Sequence, residues 1–315
     1  MKKKFLIISL ILFAVIWSFT ASSKTRCSNF GIYFLDDIFG LDGVGKTCYD
    51  NKLALRPYKE RPYKDNNNYT ADQVFYYTDT TFKIKKDCPE KSPVILIIGQ
   101  SNAANDGRSS IYENKNNLNY NTEDGFCYEL SEPVLGATGD NSSITSSIGE
   151  KIISNKTIIF LNRSVGGSSI EEWIKFYSID LNKNLNKILE KNYLKTIIWM
   201  QGESETVESS KHYFKNFEIL QSQIFNNLNV KFEDVNFIMT KSTYCGSSSE
   251  IYIAKKDEMD FQRKLIKEKY KNVKLLEITD NLDSKYRYDN CHFNSKGIDK
   301  ISNELALHIN LILKN

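Results

Sequence analysis

The sequence predicts an α/β fold: a three-layer α/β/α sandwich around a five-stranded, mostly parallel sheet, preceded by an irregular N-terminal extension. Two observations lead to this prediction. Apolar runs of strand length, rich in Ile, Val and Leu and without strict alternation, recur from residue 94 onward, as expected of strands covered on both faces. Segments with helical periodicity separate these runs, and such crossovers make neighbouring strands parallel.

Five runs are expected to form the strands, in the order Val94 to Ile98, Thr157 to Leu161, Thr196 to Met200, Val235 to Thr240 and Val273 to Ile278. Helices are expected over Ser209 to Leu228, Asp257 to Tyr270 and Ser295 to Leu313. The stretch Asn105 to Ser143 is polar and irregular, and long loops in compact domains are typically functional or disordered. An open parallel sheet binds substrates at the carboxyl ends of its strands, so the site is expected there.

The first 92 residues differ in composition from the rest of the chain. Three lysines, an uncharged run from Phe5 to Phe19 and a small polar stretch indicate that residues 1–23 are a signal peptide or, if uncleaved, an N-terminal anchor. Residues 24–92 are rich in tyrosine and charge, with a β-like pattern only from Gln73 to Lys85, and are interpreted as an extension of a domain spanning 93–315. The protein is therefore expected to be exported, with a membrane contact only through an uncleaved N-terminus.

The charge of the chain excludes two classes of partner. Loss of residues 1–23 removes three of the 42 basic residues, and the remaining 39 balance 39 acidic ones. Neither nucleic acid nor an anionic membrane surface is therefore an expected partner.

All six cysteines follow residue 23, and an oxidising compartment would allow up to three disulfides in any of about fifteen pairings. No Cys-x-x-Cys or His-Glu-x-x-His spacing occurs, so a metal site has no support in the sequence. No other cofactor is expected.

Four short motifs follow predicted strands. They are Gly99-Gln100-Ser101-Asn102, Asn162 to Trp173, Trp199 to Glu205 and Asp289-Asn290-Cys291-His292. A serine at the point where a buried strand breaks into a glycine-containing turn holds its hydroxyl at the rim of the sheet, as a nucleophile requires. Ser101 is therefore the expected nucleophile, although a serine beside a glycine is also typical of an ordinary turn.

The three histidines of the chain indicate the general base by elimination. His212 falls on a predicted helix and His308 lies within the closing helix, where structural histidines are expected. His292 follows the fifth strand, and Asp289 lies three residues before it, so that one turn can bring the carboxylate against the imidazole. Asp289 would then fix the tautomer and stabilise the imidazolium. Its other interpretation is a turn residue ahead of the closing helix.

These motifs resemble the SGNH hydrolase superfamily, in its sialate O-acetylesterase-like branch of carbohydrate esterases. The resemblance lies in Gly-Gln-Ser-Asn, Gly-Gly-Ser-x-Ile-x-x-Trp, Trp-x-Gln-Gly-Glu-Ser and Asp-x-x-His, and it covers residues 93–315. It implies an SGNH-type fold and an oxyanion hole formed by the backbone N–H groups of Ser101 and Gly167 and the side-chain amide of Gln201. Gly166 is the alternative donor to Gly167.

Further roles are expected around the site. Asn102, Gly166 and Glu203 are expected to position the substrate. Trp173 and Trp199 could stack on a sugar, but a buried tryptophan that braces a strand end is the expected role.

A competing motif, Gly40 to Thr47, fits Gly-x-x-x-x-Gly-Lys-Thr, the phosphate-binding loop of nucleotide hydrolases. Such a loop needs a strand before it, a helix after it and a magnesium ligand at a strand end. Here Pro57 interrupts the following segment, and no later predicted strand ends in Asp. A nucleotide-binding protein is therefore the less favoured alternative.

The motifs predict an exported serine esterase that removes O-acetyl groups from a carbohydrate through an acetyl-enzyme intermediate. The expected partner is an O-acetylated glycan, and sialic acid, xylan-like glycans, peptidoglycan and acetylated surface polysaccharides all fit. A non-catalytic carbohydrate-binding protein on an esterase scaffold is the alternative, and the presence of both Ser101 and His292 disfavours it. A disulfide from Cys291 to Cys245, in the loop after the fourth strand, is a hypothesis that would brace the catalytic turn.

Overall fold

The computed structural model describes residues 74–109, 113–226, 228–246 and 250–314. The candidate signal or anchor, the motif Gly40 to Thr47 and the extension up to residue 73 lie outside the described residues. Within the described part of the chain, no helix is both long enough and apolar enough to cross a membrane.

One sheet of eight strands forms the centre of the described domain. In chain order the strands are β1 (Lys85–Lys86), β2 (Pro93–Gly99), β3 (Glu113–Tyr120), β4 (Cys127–Ser131), β5 (Ile159–Asn162), β6 (Tyr193–Met200), β7 (Asn236–Thr240) and β8 (Val273–Leu276). Their order across the sheet is β1-β4-β3-β5-β2-β6-β7-β8. The last six strands in this order are parallel, whereas β4 runs antiparallel to both of its neighbours.

All five predicted strands are present, as β2, β5, β6, β7 and β8, and they are neighbours in the sheet. The predicted number of five is nevertheless wrong, because β1, β3 and β4 extend the sheet to eight strands. Two of these three, β3 and β4, lie within the stretch from 105 to 143, for which the sequence predicts an irregular loop.

Strand β3 carries no apolar run because asparagines stand among its buried side chains. Asn117 donates to the Gly149 carbonyl at 2.9 Å and accepts from the Ile158 N–H at 3.1 Å. Asn119 accepts from the Leu135 N–H at 2.6 Å. Buried polar groups are tolerated when they are hydrogen-bonded, and the partners here come from distant segments. Hydrophobic periodicity therefore cannot reveal this strand.

Seven α-helices cover the sheet in the described residues. They are α1 (Ile144–Lys151), α2 (Ile170–Glu172), α3 (Ser178–Leu189), α4 (Val207–Ser210), α5 (Tyr213–Phe225), α6 (Glu250–Lys269) and α7 (Ser295–Lys314). A π-helical turn, Trp173–Tyr177, joins α2 to α3. The three predicted helices correspond to α4 with α5, to α6 and to α7.

The helices form one layer on each face of the sheet, as the sequence predicts. In β2, Val94, Leu96 and Ile98 belong to the core shared with α3, α5 and α6, whereas Ile95 and Ile97 belong to the opposite core with α1 and α7. All five side chains are completely buried. Burial of one such side chain contributes about 1.5 to 3 kcal/mol to folding. Since helices cover both faces of β2, apolar residues are favoured on both faces, and the sequence of the strand is a continuous hydrophobic run.

The described part of the extension, residues 74–92, packs on the domain. The ring centroid of Tyr76 lies 3.5 Å from the guanidinium carbon of the buried Arg163, the residue that directly follows β5. A disulfide joins Cys88 to Cys127 at the start of β4. This segment is therefore fastened to the sheet by both stacking and a covalent bond.

Candidate active site

Ser101 lies in the turn that ends β2, the strand between β5 and β6 near the middle of the sheet. Gly99, the last residue of β2, has a φ of +144°, and a Cβ there would lie 1.9 Å from the Met200 carbonyl oxygen. Only glycine fits this position. The backbone N–H of Gln100 donates to the same oxygen at 2.9 Å, so the chain turns sharply and leaves Ser101 at the carboxyl edge of the sheet.

Asp289 and His292 form a pair on the loop before α7. One carboxylate oxygen of Asp289 lies 2.6 Å from Nδ1 of His292, and the other accepts from the backbone N–H groups of His292 at 2.7 Å and Cys291 at 3.0 Å. Partial burial acts to raise the pKa of Asp289, but the hydrogen bonds outweigh it and hold the pKa below its usual value. An ionised Asp289 keeps the proton of His292 on Nδ1, which leaves Nε2 able to accept one.

The side chain of Asn102 ties the serine turn to the histidine loop. Its Oδ1 accepts from the Phe293 N–H at 3.2 Å, and its Nδ2 donates to the Cys291 carbonyl at 3.3 Å. Within the described residues, the Ser101 hydroxyl forms no hydrogen bond with the His292 ring. Such catalytic hydrogen bonds are often long before a substrate binds. Asn102 thus joins the loops that carry Ser101 and His292 through hydrogen bonds.

The two glycines of the second motif follow β5, the neighbour of β2 in the sheet, and they differ in the donor that they offer. A Cβ on Gly166 would lie 3.9 Å from the Cβ of Ser101, and the Gly166 N–H donates to Thr138 Oγ1 at 2.7 Å. Gly167 is exposed, has a φ of +73° and has open space around the position of a Cβ. Its N–H has no hydrogen-bond partner among the described residues. Gly167 is therefore the glycine with a free donor.

The polar side chains of the third motif lie beneath the serine turn. Gln201 is completely buried, and its amide donates to Glu205 at 2.6 Å and to the Ser168 carbonyl at 3.3 Å. Both amide hydrogens are thus engaged, and Gln201 can reach an oxyanion only after releasing one partner. Glu203 is buried and accepts from Asn102 at 2.8 Å. Among the described residues, no group of three or more His, Cys, Asp or Glu could hold a metal ion.

Three side chains that sequence reasoning missed hold these loops in place. Gln100 accepts through Oε1 from two backbone N–H groups of the third motif, at 3.2 and 3.0 Å. Arg287, which is buried, donates to the Cys291 carbonyl. Tyr288 stacks on His292, with ring centroids 5.9 Å apart and an interplanar angle of 24°. The Gly-Gln-Ser motif could have pointed to Gln100, but no spacing distinguishes Arg287 or Tyr288 from other loop residues.

Trp173 and Trp199 are completely buried and pack edge to face, with ring centroids 5.5 Å apart. The indole N–H of Trp173 donates to Ser168 Oγ at 2.9 Å, and that of Trp199 donates to the Tyr213 hydroxyl at 2.8 Å. Neither ring is open to a sugar. The expectation that both are buried is confirmed, and Trp199 lies at the end of β6.

A disulfide between Cys245 and Cys291 joins the loop after β7 to the histidine loop, which confirms that hypothesis. The same loops are joined by a hydrogen bond from the Gly246 N–H to the Asn290 carbonyl, at 3.0 Å. Cys291 lies between Asp289 and His292 in the chain. The disulfide therefore restricts the turn that carries these two side chains.

We expect loss of this disulfide to lower both stability and turnover. Replacing Cys245 and Cys291 together by serine opens a loop of 46 residues, for which chain entropy alone corresponds to about 4 kcal/mol of unfolding free energy. Denaturant unfolding and ester hydrolysis measure the two effects. The matched control replaces Cys88 and Cys127, whose loop of 39 residues lies outside the histidine turn: stability should fall similarly and kcat should not. Equal kcat losses in the two double variants would contradict the bracing role.

Residues 91–310, more than half of the chain, match the family described as carbohydrate esterase, sialic acid-specific acetylesterase. The chain belongs to this family. As a member of this carbohydrate esterase family it is a carboxylic ester hydrolase, and all four motifs fall within the matched residues. Among curated protein sequences, none matches the chain.

Solved structures align with the chain at low sequence identity, and one of them, with a TM-score above 0.5, shows the same fold. A protein from Arabidopsis thaliana aligns with a TM-score of 0.56 and 19% identity, over 72% of this chain and 99% of that one. A carbohydrate acetylesterase from Sinorhizobium meliloti aligns with a TM-score of 0.46 and 10% identity, over 70% and 100%. An acetylxylan esterase from Geobacillus stearothermophilus, solved as a catalytic mutant, gives 0.42 and 12%, over 71% and 95%. At 19% identity the first likeness shows the fold alone.

Proposed function

We propose that this member of the carbohydrate esterase family is an exported serine esterase that removes O-acetyl groups from a glycan. The observation that carries the proposal is the Asp289–His292 pair, hydrogen-bonded at 2.6 Å on a loop that Asn102 ties to the turn of Ser101. A serine hydroxyl is a weak nucleophile unless a base lies beside it, and this arrangement supports His292 as the base and Asp289 as its orienting acid.

The reaction proceeds in two acyl transfers. The Ser101 hydroxyl attacks the acetyl carbonyl carbon while Nε2 of His292 takes its proton, and Asp289 stabilises the resulting imidazolium. The imidazolium then protonates the departing sugar oxygen, which leaves an acetyl ester on the serine. A water molecule, deprotonated by the same histidine, hydrolyses this ester and releases acetate.

The negative charge on the carbonyl oxygen needs donors that already point at it, each typically worth about 3 to 4 kcal/mol. The backbone N–H groups of Ser101 and Gly167 are available without rearrangement, because neither has a hydrogen-bond partner in the described residues. Gln201, the third donor that the motifs indicate, would first release Glu205 or the Ser168 carbonyl. We therefore assign the oxyanion hole chiefly to the two backbone groups.

The two disulfides in the described residues are consistent with export to an oxidising compartment, which is where the N-terminal signal or anchor of residues 1–23 would direct the chain. The substrate class follows from the family, whose members are acetylesterases of carbohydrates. An exported enzyme that removes acetyl groups from a glycan is consistent with both the disulfides and the family.

Acetate release from a panel of O-acetylated glycans, together with hydrolysis of 4-nitrophenyl acetate, tests the proposal. A rapid acid quench during turnover should trap an acetyl group on the peptide that contains Ser101, as peptide mass spectrometry would detect. Glycan binding without any turnover would instead identify a non-catalytic carbohydrate-binding protein. Turnover without acetylation of Ser101 would refute the covalent mechanism.

A further inference from the structure

We infer that Asn102 and Glu203 form a clamp that positions the imidazole of His292 relative to Ser101, and that neither residue contacts the substrate. This inference rests on the proposed function, because it assigns the clamp a role in the serine–histidine reaction. It changes the role that the motifs alone suggest for the two side chains, which is substrate positioning.

The hydrogen bonds of Asn102 account for every polar atom of its side chain. Oδ1 accepts from the Phe293 N–H at 3.2 Å, and Nδ2 donates to the Cys291 carbonyl at 3.3 Å and to Glu203 Oε1 at 2.8 Å. Cys291 and Phe293 are the two neighbours of His292 in the chain, so one side chain holds the backbone on both sides of the base. Since Asn102 directly follows Ser101, the same residue is covalently joined to the nucleophile.

The engagement of its polar atoms, rather than residue exposure, separates the clamp from any bound sugar, since Ser101 itself is only 7% exposed. Asn102 is 4% exposed and Glu203 is 8% exposed. Oε2 of Glu203, the carboxyl oxygen that does not face Asn102, is enclosed by protein and has no hydrogen-bond partner among the described residues. Gly167, by contrast, is exposed at the same edge of the sheet. Two side chains whose polar atoms are engaged with each other or enclosed by protein have no group to offer a glycan. Their effect on the reaction must pass through the residues that they hold.

The surroundings of Glu203 keep this residue in one place. Its own carbonyl accepts from Lys255 Nζ at 2.9 Å. Burial raises the pKa of Glu203, and the Asn102 hydrogen bond and the positive charge of Arg287 partly oppose this rise. Arg287 also donates to the Cys291 carbonyl, which is the same oxygen that accepts from Asn102. The histidine loop is thus held from two sides, and Glu203 fixes the amide orientation that makes one of these contacts.

Kinetics of the full-length protein with single and double variants test the clamp. Asn102→Ala should lower kcat/KM about 100-fold, the effect typical of a misplacement near 1 Å, and Glu203→Ala should lower it about 10-fold or more. Glu203→Gln, which keeps an acceptor for the amide, should restore most of the activity. The double Ala variant should be no worse than Asn102→Ala, because Glu203 acts through that residue. Glu208→Ala, an exposed glutamate on α4, is the control.

Two further measurements separate positioning of the base from substrate binding and from misfolding. The rate at which an organophosphate ester phosphorylates Ser101 requires the activated hydroxyl but no glycan contact, so it should fall in parallel with kcat/KM. The thermal midpoint of each variant reports folding. If Asn102→Ala is unstable, the similarly sized Asn102→Leu, which cannot donate to Glu203 or to Cys291, should show the same kinetic loss.

Equal losses for 4-nitrophenyl acetate, an acetylated glycan and the organophosphate, with rescue by Glu203→Gln, support the clamp. A loss confined to the glycan, an unchanged phosphorylation rate or additive effects in the double variant would overturn it. Failure of the proposed function has a different signature, because the wild-type protein would then show no phosphorylation of Ser101 and no ester turnover.

Discussion

Replacement of Ser101 by alanine is expected to lower kcat for ester hydrolysis by about 10⁴- to 10⁶-fold, down to what binding and oxyanion donors provide alone. The physical reason is that an alanine side chain offers no oxygen to form the acetyl ester, so the two-step route through the covalent intermediate is closed. Hydrolysis of 4-nitrophenyl acetate at saturating concentration, followed by acetate release from a glycan substrate, measures the effect. Circular dichroism of the purified variant reports whether the fold is retained.

A matched control for this variant is Ser204→Ala. Ser204 also follows a parallel strand at the carboxyl edge of the sheet, and its contact with the serine turn is made by its backbone N–H, which donates to Gln100 at 3.0 Å. Its replacement should leave kcat within about threefold of wild type, in the range of substitutions that leave the reacting groups in place. If Ser101→Ala retained comparable turnover in a folded protein, the hydroxyl of residue 101 would have no part in the chemistry.

The second large effect is expected for Asp289→Asn, which should lower kcat by about 10³- to 10⁴-fold with little change in the affinity for substrate. In the wild-type protein Asp289 accepts from the backbone N–H groups of Cys291 and His292 at 3.0 and 2.7 Å. The asparagine can accept the same two hydrogen bonds, so the loop should keep its shape. Its amide nitrogen, however, would face Nδ1 of the imidazole and favour the tautomer protonated on Nε2. That tautomer cannot accept the serine proton.

Kinetics against pH and the rate of organophosphate labelling of the serine measure this loss. Asp283→Asn is the matched control, because Asp283 is an exposed carboxylate of the preceding turn that pairs with Lys285 at 3.2 Å. It should behave as wild type. Normal turnover of Asp289→Asn would show that the histidine needs no carboxylate, and the acid would then be only a turn residue.

Much of the fold could be predicted from the chain because its signals are local. The run from Val94 to Ile98 is apolar on both faces because both faces are covered, and the same holds for the other four predicted strands. The pairing of Asp289 with His292 is also local, since one turn spans the three residues between them. Cys245 and Cys291 could be paired because the loops after neighbouring strands lie side by side.

The sequence did not predict β3, because this strand depends on hydrogen-bond partners far away in the chain. In β3, Asn117 and Asn119 are buried where aliphatic residues would be expected, and their hydrogen-bond partners lie up to 41 residues away. A polar sequence of this kind is typical of a loop unless the partners are known. Tertiary contacts thus override the local preference of the segment.

The sequence by itself determined the α/β class, the five central strands, the four motifs at their carboxyl ends and the acid three residues before the histidine. These features depend on periodicity and short spacing, which the chain carries in the order of its residues. Only the tertiary structure decided that Asn102 meets Glu203, 101 residues away, and the backbone on both sides of His292, nearly twice as far. It likewise decided that Gln201 is held by Glu205 and that Gly167, rather than Gly166, has a free N–H. The physical reason is that a hydrogen bond depends on where donor and acceptor lie in space, and for residues far apart in the chain packing alone sets that.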